Sequence, residues 1–110
     1  MELNLVEACK MLAQFSQMDG YVVHLTDRAA VLELCTSDRE LMLWVFNFGL
    51  VEVSMGVEGP AGPVAIQHKY VASIDEAAKW AQAALANYLQ LSNPVHGVGE
   101  SDNSNNKNFQ

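Results

Sequence analysis

The sequence predicts an α+β domain: an N-terminal helix, a mainly antiparallel curved sheet of four or five strands, and a C-terminal helix, with both helices on one face of the sheet. Three observations lead there. Apolar residues recur at three- and four-residue spacing near both ends of the chain. Between those ends the residues alternate and are interrupted by short polar breaks. At the centre, Leu41 to Val51 contains no charged residue, and from Leu41 to Val45 every side chain is apolar.

The first helix is expected over Leu3–Met18. Leu5, Ala8, Leu12 and Phe15 form its stripe, Cys9, Met11 and Met18 its shoulders, and Glu7, Lys10, Gln14 and Gln17 its polar side. Asp19-Gly20 ends it, because glycine takes the left-handed turn that follows a helix without steric cost. Tyr21–Leu25 is a short segment of β-formers. Thr26-Asp27-Arg28 breaks the pattern, and Ala29–Thr36 resumes it, with Ala30, Leu32 and Leu34 facing one way and Val31, Glu33 and Cys35 the other. Ser37-Asp38-Arg39 is a second break of similar composition. Both read as hairpin turns.

In the central stretch, even positions carry Met42, Trp44, Phe46, Phe48 and Leu50, and odd positions carry Leu41, Leu43 and Val45. Beyond Asn47-Phe48-Gly49 the apolar parity changes to Val51, Val53, Met55 and Val57. A change of parity needs a bulge or a tight turn, and Gly49 can supply the positive φ of either. A long strand bent at Gly49 is the expectation, with a hairpin as the alternative. Gly56–Pro63 is a Gly/Pro loop. Val64–Val71 is the last strand, with Val64, Ile66, His68 and Tyr70 opposite Ala65, Gln67 and Lys69. Ser73-Ile74-Asp75-Glu76 is a capping box that opens a helix reaching about Leu91, with a stripe of Ile74, Ala77, Ala78, Ala81, Ala84, Leu85 and Tyr88 flanked by Trp80. Asn93-Pro94 stops it. Residues 1–92 are therefore expected to form one domain, and the Asn-rich residues 93–110 a disordered polar tail.

Composition narrows the function classes. Six Lys and Arg against thirteen Asp and Glu give a net charge of −7, and the basic residues are scattered singly. Phosphate backbones and anionic membranes need clustered cations, so neither nucleic acid nor membrane is an expected partner. There is no export signal at the start and no run near the roughly 20 apolar residues of a membrane span, so a cytoplasmic location is expected. Cys9 and Cys35 sit at apolar positions without CxxC spacing and read as buried free thiols of a reducing compartment.

No catalytic motif stands out. His24, His68 and His96 share no metal-ligand spacing with each other or with Cys9 and Cys35, so no metal or cofactor is expected. Glu33 and Glu52 read as ordinary acids of a sheet surface. There is no GxSxG elbow, no Cys-His pair with an orienting group and no phosphate loop, so catalysis is not expected.

The remaining signal is the apolar excess of the central stretch. A sheet covered by helices on one face should show one apolar and one polar parity. Here both parities are apolar, so either the strand is central, strongly twisted and buried on both sides within the monomer, or its uncovered face invites a partner. The candidate interface is Leu41, Leu43, Trp44, Val45, Phe46 and Phe48. The expected function is that of a small acidic accessory protein that binds another protein or itself as a homodimer, of the immunity, inhibitor or antitoxin type. In style the chain is similar to the class I type III secretion chaperones, which are small, acidic and dimeric, with helices flanking a twisted sheet; it departs from them in lacking a clear helix among the strands. The remaining alternative is a small-ligand domain with a cupped sheet, its pocket lined by Tyr21, Trp44, Phe46, His68 and Tyr70.

Overall fold

A computed structural model describes residues 2–57 and 63–91. The order is α1 (Leu5–Leu12), β1 (Tyr21–Leu25), β2 (Ala29–Cys35), β3 (Arg39–Phe46), β4 (Leu50–Val57), β5 (Pro63–Tyr70) and α2 (Ile74–Gln90), an α+β chain. The strands form one antiparallel meander in the order β1-β2-β3-β4-β5, so β3 is central and β1 and β5 are the edges. Most of the expected Gly/Pro loop and all of the expected tail, His96 included, lie outside the described residues.

α1 is shorter than its apolar spacing suggests. It runs only to Leu12, and Ala13–Phe15 continue it as a 3₁₀ turn. Asn4 caps it: the Oδ1 atom accepts a hydrogen bond from the Glu7 amide at 3.1 Å. Gly20 then brings the chain onto the end of β2 with φ of 75°. A Cβ there would fall 2.1 Å from the Cys35 carbonyl oxygen, so no side chain fits.

The two polar breaks are two-residue hairpin turns. In each, a threonine closes the turn: Thr26 and Thr36 donate their amides to the carbonyls of Ala29 and Arg39 at 2.8 and 2.9 Å. Their hydroxyls bond to the same two carbonyls. The likeness of Thr-Asp-Arg to Ser-Asp-Arg is thus one residue out of step. The equivalent residues are Thr26 and Thr36.

The bend expected at Gly49 is instead a hairpin. β3 ends at Phe46, and β4 begins at Leu50 with Val45 paired to Val51 and Leu43 to Val53. Gly49 closes the three-residue loop with φ of 98°, its amide donating to the Phe46 carbonyl at 3.0 Å. With this loop the core parity does not change at all. An odd-numbered loop places odd residues opposite odd residues, so Leu41, Leu43, Val45, Val51, Val53 and Met55 share one face.

That face is the core. Ala30, Leu32, Leu34, Leu41, Leu43, Val45, Val51 and Val53 are fully buried, in one cluster with Ala8 and Leu12 of α1 and Ala77, Ala81, Ala84, Leu85 and Tyr88 of α2. α1 packs over β1, β2 and β3, and α2 over β3 and β4. α2 opens at Ser73, whose hydroxyl accepts from the Glu76 amide at 3.1 Å, while the Glu76 carboxylate reaches back to the Ala72 amide.

α2 has no basic residue in its last turn. Arg39, on the core side of β3, supplies the charge from a distance of 49 residues in sequence. Its Nη1 donates to the carbonyls of Tyr88, Leu89 and Leu91 at 3.0, 3.3 and 2.8 Å, and its guanidinium lies 5.2 Å from the centre of the Tyr88 ring. A cation on orphan carbonyls at a helix C-terminus is doubly favourable, through hydrogen bonds and the helix dipole. The Tyr88 hydroxyl, beside Thr36, is buried without a hydrogen-bond partner among the described residues, and this burial pushes its pKa upward although the charge of Arg39 pulls it down.

Two substitutions test these fixings. Arg39→Ala should cost about 2 kcal/mol in urea unfolding, with Arg39→Lys recovering only part of it because an ammonium lacks the planar guanidinium that lies over the Tyr88 ring. Gly49→Ala should also cost about 2 kcal/mol, from the left-handed backbone and from a Cβ placed 2.9 Å from the Val71 carbonyl oxygen.

Candidate functional site: the open face of the sheet

The side of the sheet away from the helices is built by the even residues of β3 and their partners. One row across the strands reads His24, Val31, Trp44, Glu52, His68, and the next reads Val22, Glu33, Met42, Ser54, Ile66. Phe46 lies opposite Ala29 on β2. The Trp44 and Phe46 rings stack with centroids 5.8 Å apart and planes 11° apart, and Phe48 continues the series from the loop at 5.4 Å from Phe46. Val31, set between His24 and Trp44, is fully buried even here.

Ala29 is buried too, and the other apolar side chains are exposed or half-buried. Val22 is 51 % exposed, Phe48 52 %, Ile66 64 % and Tyr70 67 %. Trp44, Phe46, Met42 and Leu50 are half-buried. Trp44, Phe46, Glu52, Ser54 and Ile66 line a groove of about 420 Å³. Polar groups surround this apolar strip. His24 Nε2 lies 2.8 Å from Glu33 Oε2 at its β1 side, and Glu52 faces His68 across the β4–β5 pair.

This geometry divides the six residues expected at an interface. Leu41, Leu43 and Val45 are fully buried beneath the helices and are closed to any partner. Trp44, Phe46 and Phe48 lie together on the open side. The cause is the strand period of two, which sends alternate residues of one apolar run to opposite faces. Of the five residues expected to line a pocket, only Trp44 and Phe46 do so: Tyr21 pairs with Leu34 and packs against the core, and His68 and Tyr70 lie on the open side but outside the groove's lining. Ile66, Glu52 and Ser54 take part in their place. They were findable by reading across a Gly49 hairpin, which sets Glu52 opposite Trp44 and Ser54 opposite Met42.

Other pairs of chemically capable side chains are not brought together. His24 and His68 occupy opposite edge strands, four strand spacings or about 19 Å apart. Glu33 and Glu52 are separated by the side chains of β3. Among the described residues no three His, Cys, Asp or Glu side chains gather as a metal site would require. Cys9 and Cys35 are free thiols, but only Cys9 is partly buried, its pKa raised by burial; Cys35, expected in the interior, is exposed. Parity is again the reason, since Cys35 shares a face with Val31 and Glu33 at the end of β2.

No helix among the described residues is long and apolar enough to cross a membrane. No family model matches the chain, and no curated protein or solved structure matches it significantly.

Two aspartate substitutions on adjacent residues separate the faces. Leu43→Asp buries a carboxylate in the core and should abolish cooperative unfolding by circular dichroism. Trp44→Asp, on the open side, should keep the native spectrum and a stability within about 2 kcal/mol of the parent.

Proposed function

We propose that the chain is a small cytoplasmic accessory protein that acts by protein–protein binding, of the immunity, inhibitor or antitoxin kind, without catalysis. The docking surface is the open face of the sheet, centred on Trp44, Phe46 and Phe48. One observation carries this reading. The stacked rings of Trp44, Phe46 and Phe48 and the exposed side chains of Val22, Ile66 and Tyr70 face away from the helices, interleaved with Glu33, Glu52 and Ser54, and no element among the described residues covers them. Water gains nothing from such a surface, whereas a partner that buries it removes apolar area at roughly 25 cal/mol per Å². Stacked aromatics on a sheet are rigid anchors and lose little side-chain entropy on binding.

The groove supports a second reading, a small-ligand domain. It is concave, largely apolar and holds one carboxylate, Glu52, and one hydroxyl, Ser54. The chaperone-like alternative has less support, because five strands follow one another with no helix between them.

A photo-crosslinking amino acid placed at Ser54, on the open face, should yield discrete protein adducts in cells that produce the chain. The same residue placed at Gln82, on the exposed side of α2, should not. Adducts of equal yield from both positions would rule out this face as the docking surface, and stabilisation by a metabolite in a thermal-shift screen would favour the ligand reading.

A further inference from the structure

We infer that the partner segment taken by the open face is cationic, and that one lysine or arginine of that segment lies in the groove against Trp44, Phe46 and Glu52. The inference rests on the docking reading above and gives the partner its chemistry.

The groove itself is the first argument. Its lining combines two aromatic rings, one aliphatic side chain, one carboxylate and one hydroxyl. Aromatic ring faces carry negative potential and attract cations. Glu52 stands directly opposite Trp44 in the β3–β4 register, so a carboxylate borders the indole. An apolar stem resting on Ile66 with a charged head between Trp44 and Glu52 matches a lysine or arginine side chain, which buries its methylenes and keeps its charge on a polar partner. A volume of about 420 Å³ holds one or two side chains and not a folded element.

Charge on the face is the second argument. Among the described residues this side carries Glu33 on β2, Glu40 on β3 and Glu52 on β4. The five lysines and arginines among the described residues are all placed elsewhere. Arg39 and Lys69 have the opposite parity, and Arg39 is committed to the C-terminus of α2. Arg28 is in the β1–β2 turn, and Lys10 and Lys79 are on the helices. Glu33 has His24 beside it, whereas neither Glu40 nor Glu52 forms a salt bridge among the described residues. An apolar strip bordered by unneutralised carboxylates selects a segment that alternates apolar and basic side chains. It also disfavours a second copy of this chain, which would set the same glutamates against each other in a medium of reduced dielectric.

The test uses Trp44 as its own reporter. The chain has two tryptophans, so Trp80→Phe leaves Trp44 alone. Its emission is followed while short synthetic peptides of alternating Leu and Arg, alternating Leu and Glu, and alternating Ser and Arg are added. The Leu/Arg peptide should give a saturable change, and the other two should bind at least about tenfold more weakly. Glu52→Gln, with its fold checked by circular dichroism, should weaken the Leu/Arg peptide by about tenfold, and added salt should weaken it further. Equal binding of the Leu/Arg and Leu/Glu peptides, or indifference to Glu52→Gln, overturns the cationic partner and leaves the docking surface standing. If neither leucine-bearing peptide affects Trp44 at millimolar concentration, the docking reading falls as well. A change in Trp44 emission with protein concentration alone, together with sedimentation as a dimer, would give the face to a second copy and overturn the inference.

Discussion

The loop Asn47–Gly49 ties four parts of the chain by backbone hydrogen bonds. The Asn47 amide donates to the Arg28 carbonyl in the β1–β2 turn at 2.8 Å, and its carbonyl accepts from Leu3 ahead of α1 at 2.7 Å. Gly49 donates to Phe46 and accepts from the Val71 amide, between β5 and α2, at 2.8 Å. A loop held on all sides in this way cannot slide, so the pairing of β3 with β4 cannot slip. Slippage by one residue would invert every side chain between the faces. Leu43 would then meet water and Trp44 would meet the helices. The division between a dry face and an open face therefore depends on three residues that belong to neither.

The choice of face also follows from volume. α2 presents Ala77, Ala81 and Ala84 to the sheet, and small side chains let a helix approach closely. Leu41, Leu43, Val45, Val51 and Val53 fill the shallow space that remains at full burial. A Trp or Phe side chain added to that filled space would overpack it, and overpacking is itself destabilising. The aromatic residues are excluded from beneath an alanine helix as much as they are attracted to the other side. They stack there on one another because adjacent same-face positions of a strand bring them within reach.

Most of this fold was legible in the residues, because each element announces itself locally. Ser73 and Glu76 mark the start of α2, alternation marks β2, and Gly20 marks the passage from α1 into β1. What was not legible depends on contacts distant in sequence. Phe15 has the spacing of a helical core residue, yet the chain tightens to 3₁₀ there as it turns toward Gly20. Arg39 looked like part of a polar turn, and its bond to residues about fifty positions later leaves no local trace. Leu43 and Trp44 were equally apolar in sequence; alternation sends them to opposite faces, and the hairpin at Gly49, by setting Leu43 beside Val53 and Trp44 beside Glu52, decides which face is the core. Asn-Phe-Gly held that information, since a three-residue loop ending in glycine is a common hairpin connection.

The edges of the sheet have a different character from its middle. β3 carries no charge from Leu41 to Phe46, a composition that would recruit other chains if it lay at an edge, but both of its neighbours are in place. At β5 the helices no longer cover the sheet. Gln67 and Lys69, on the same side as the fully buried Val53 and Val51, are exposed there, and the lysine places a charge where an incoming strand would need an apolar contact. Pairing along this edge is thus discouraged from the helix side, while Ile66 and Tyr70 on its other side extend the open apolar strip. Strand pairing at β5 is therefore opposed by charge, and the exposed apolar area there lies on the face of the sheet.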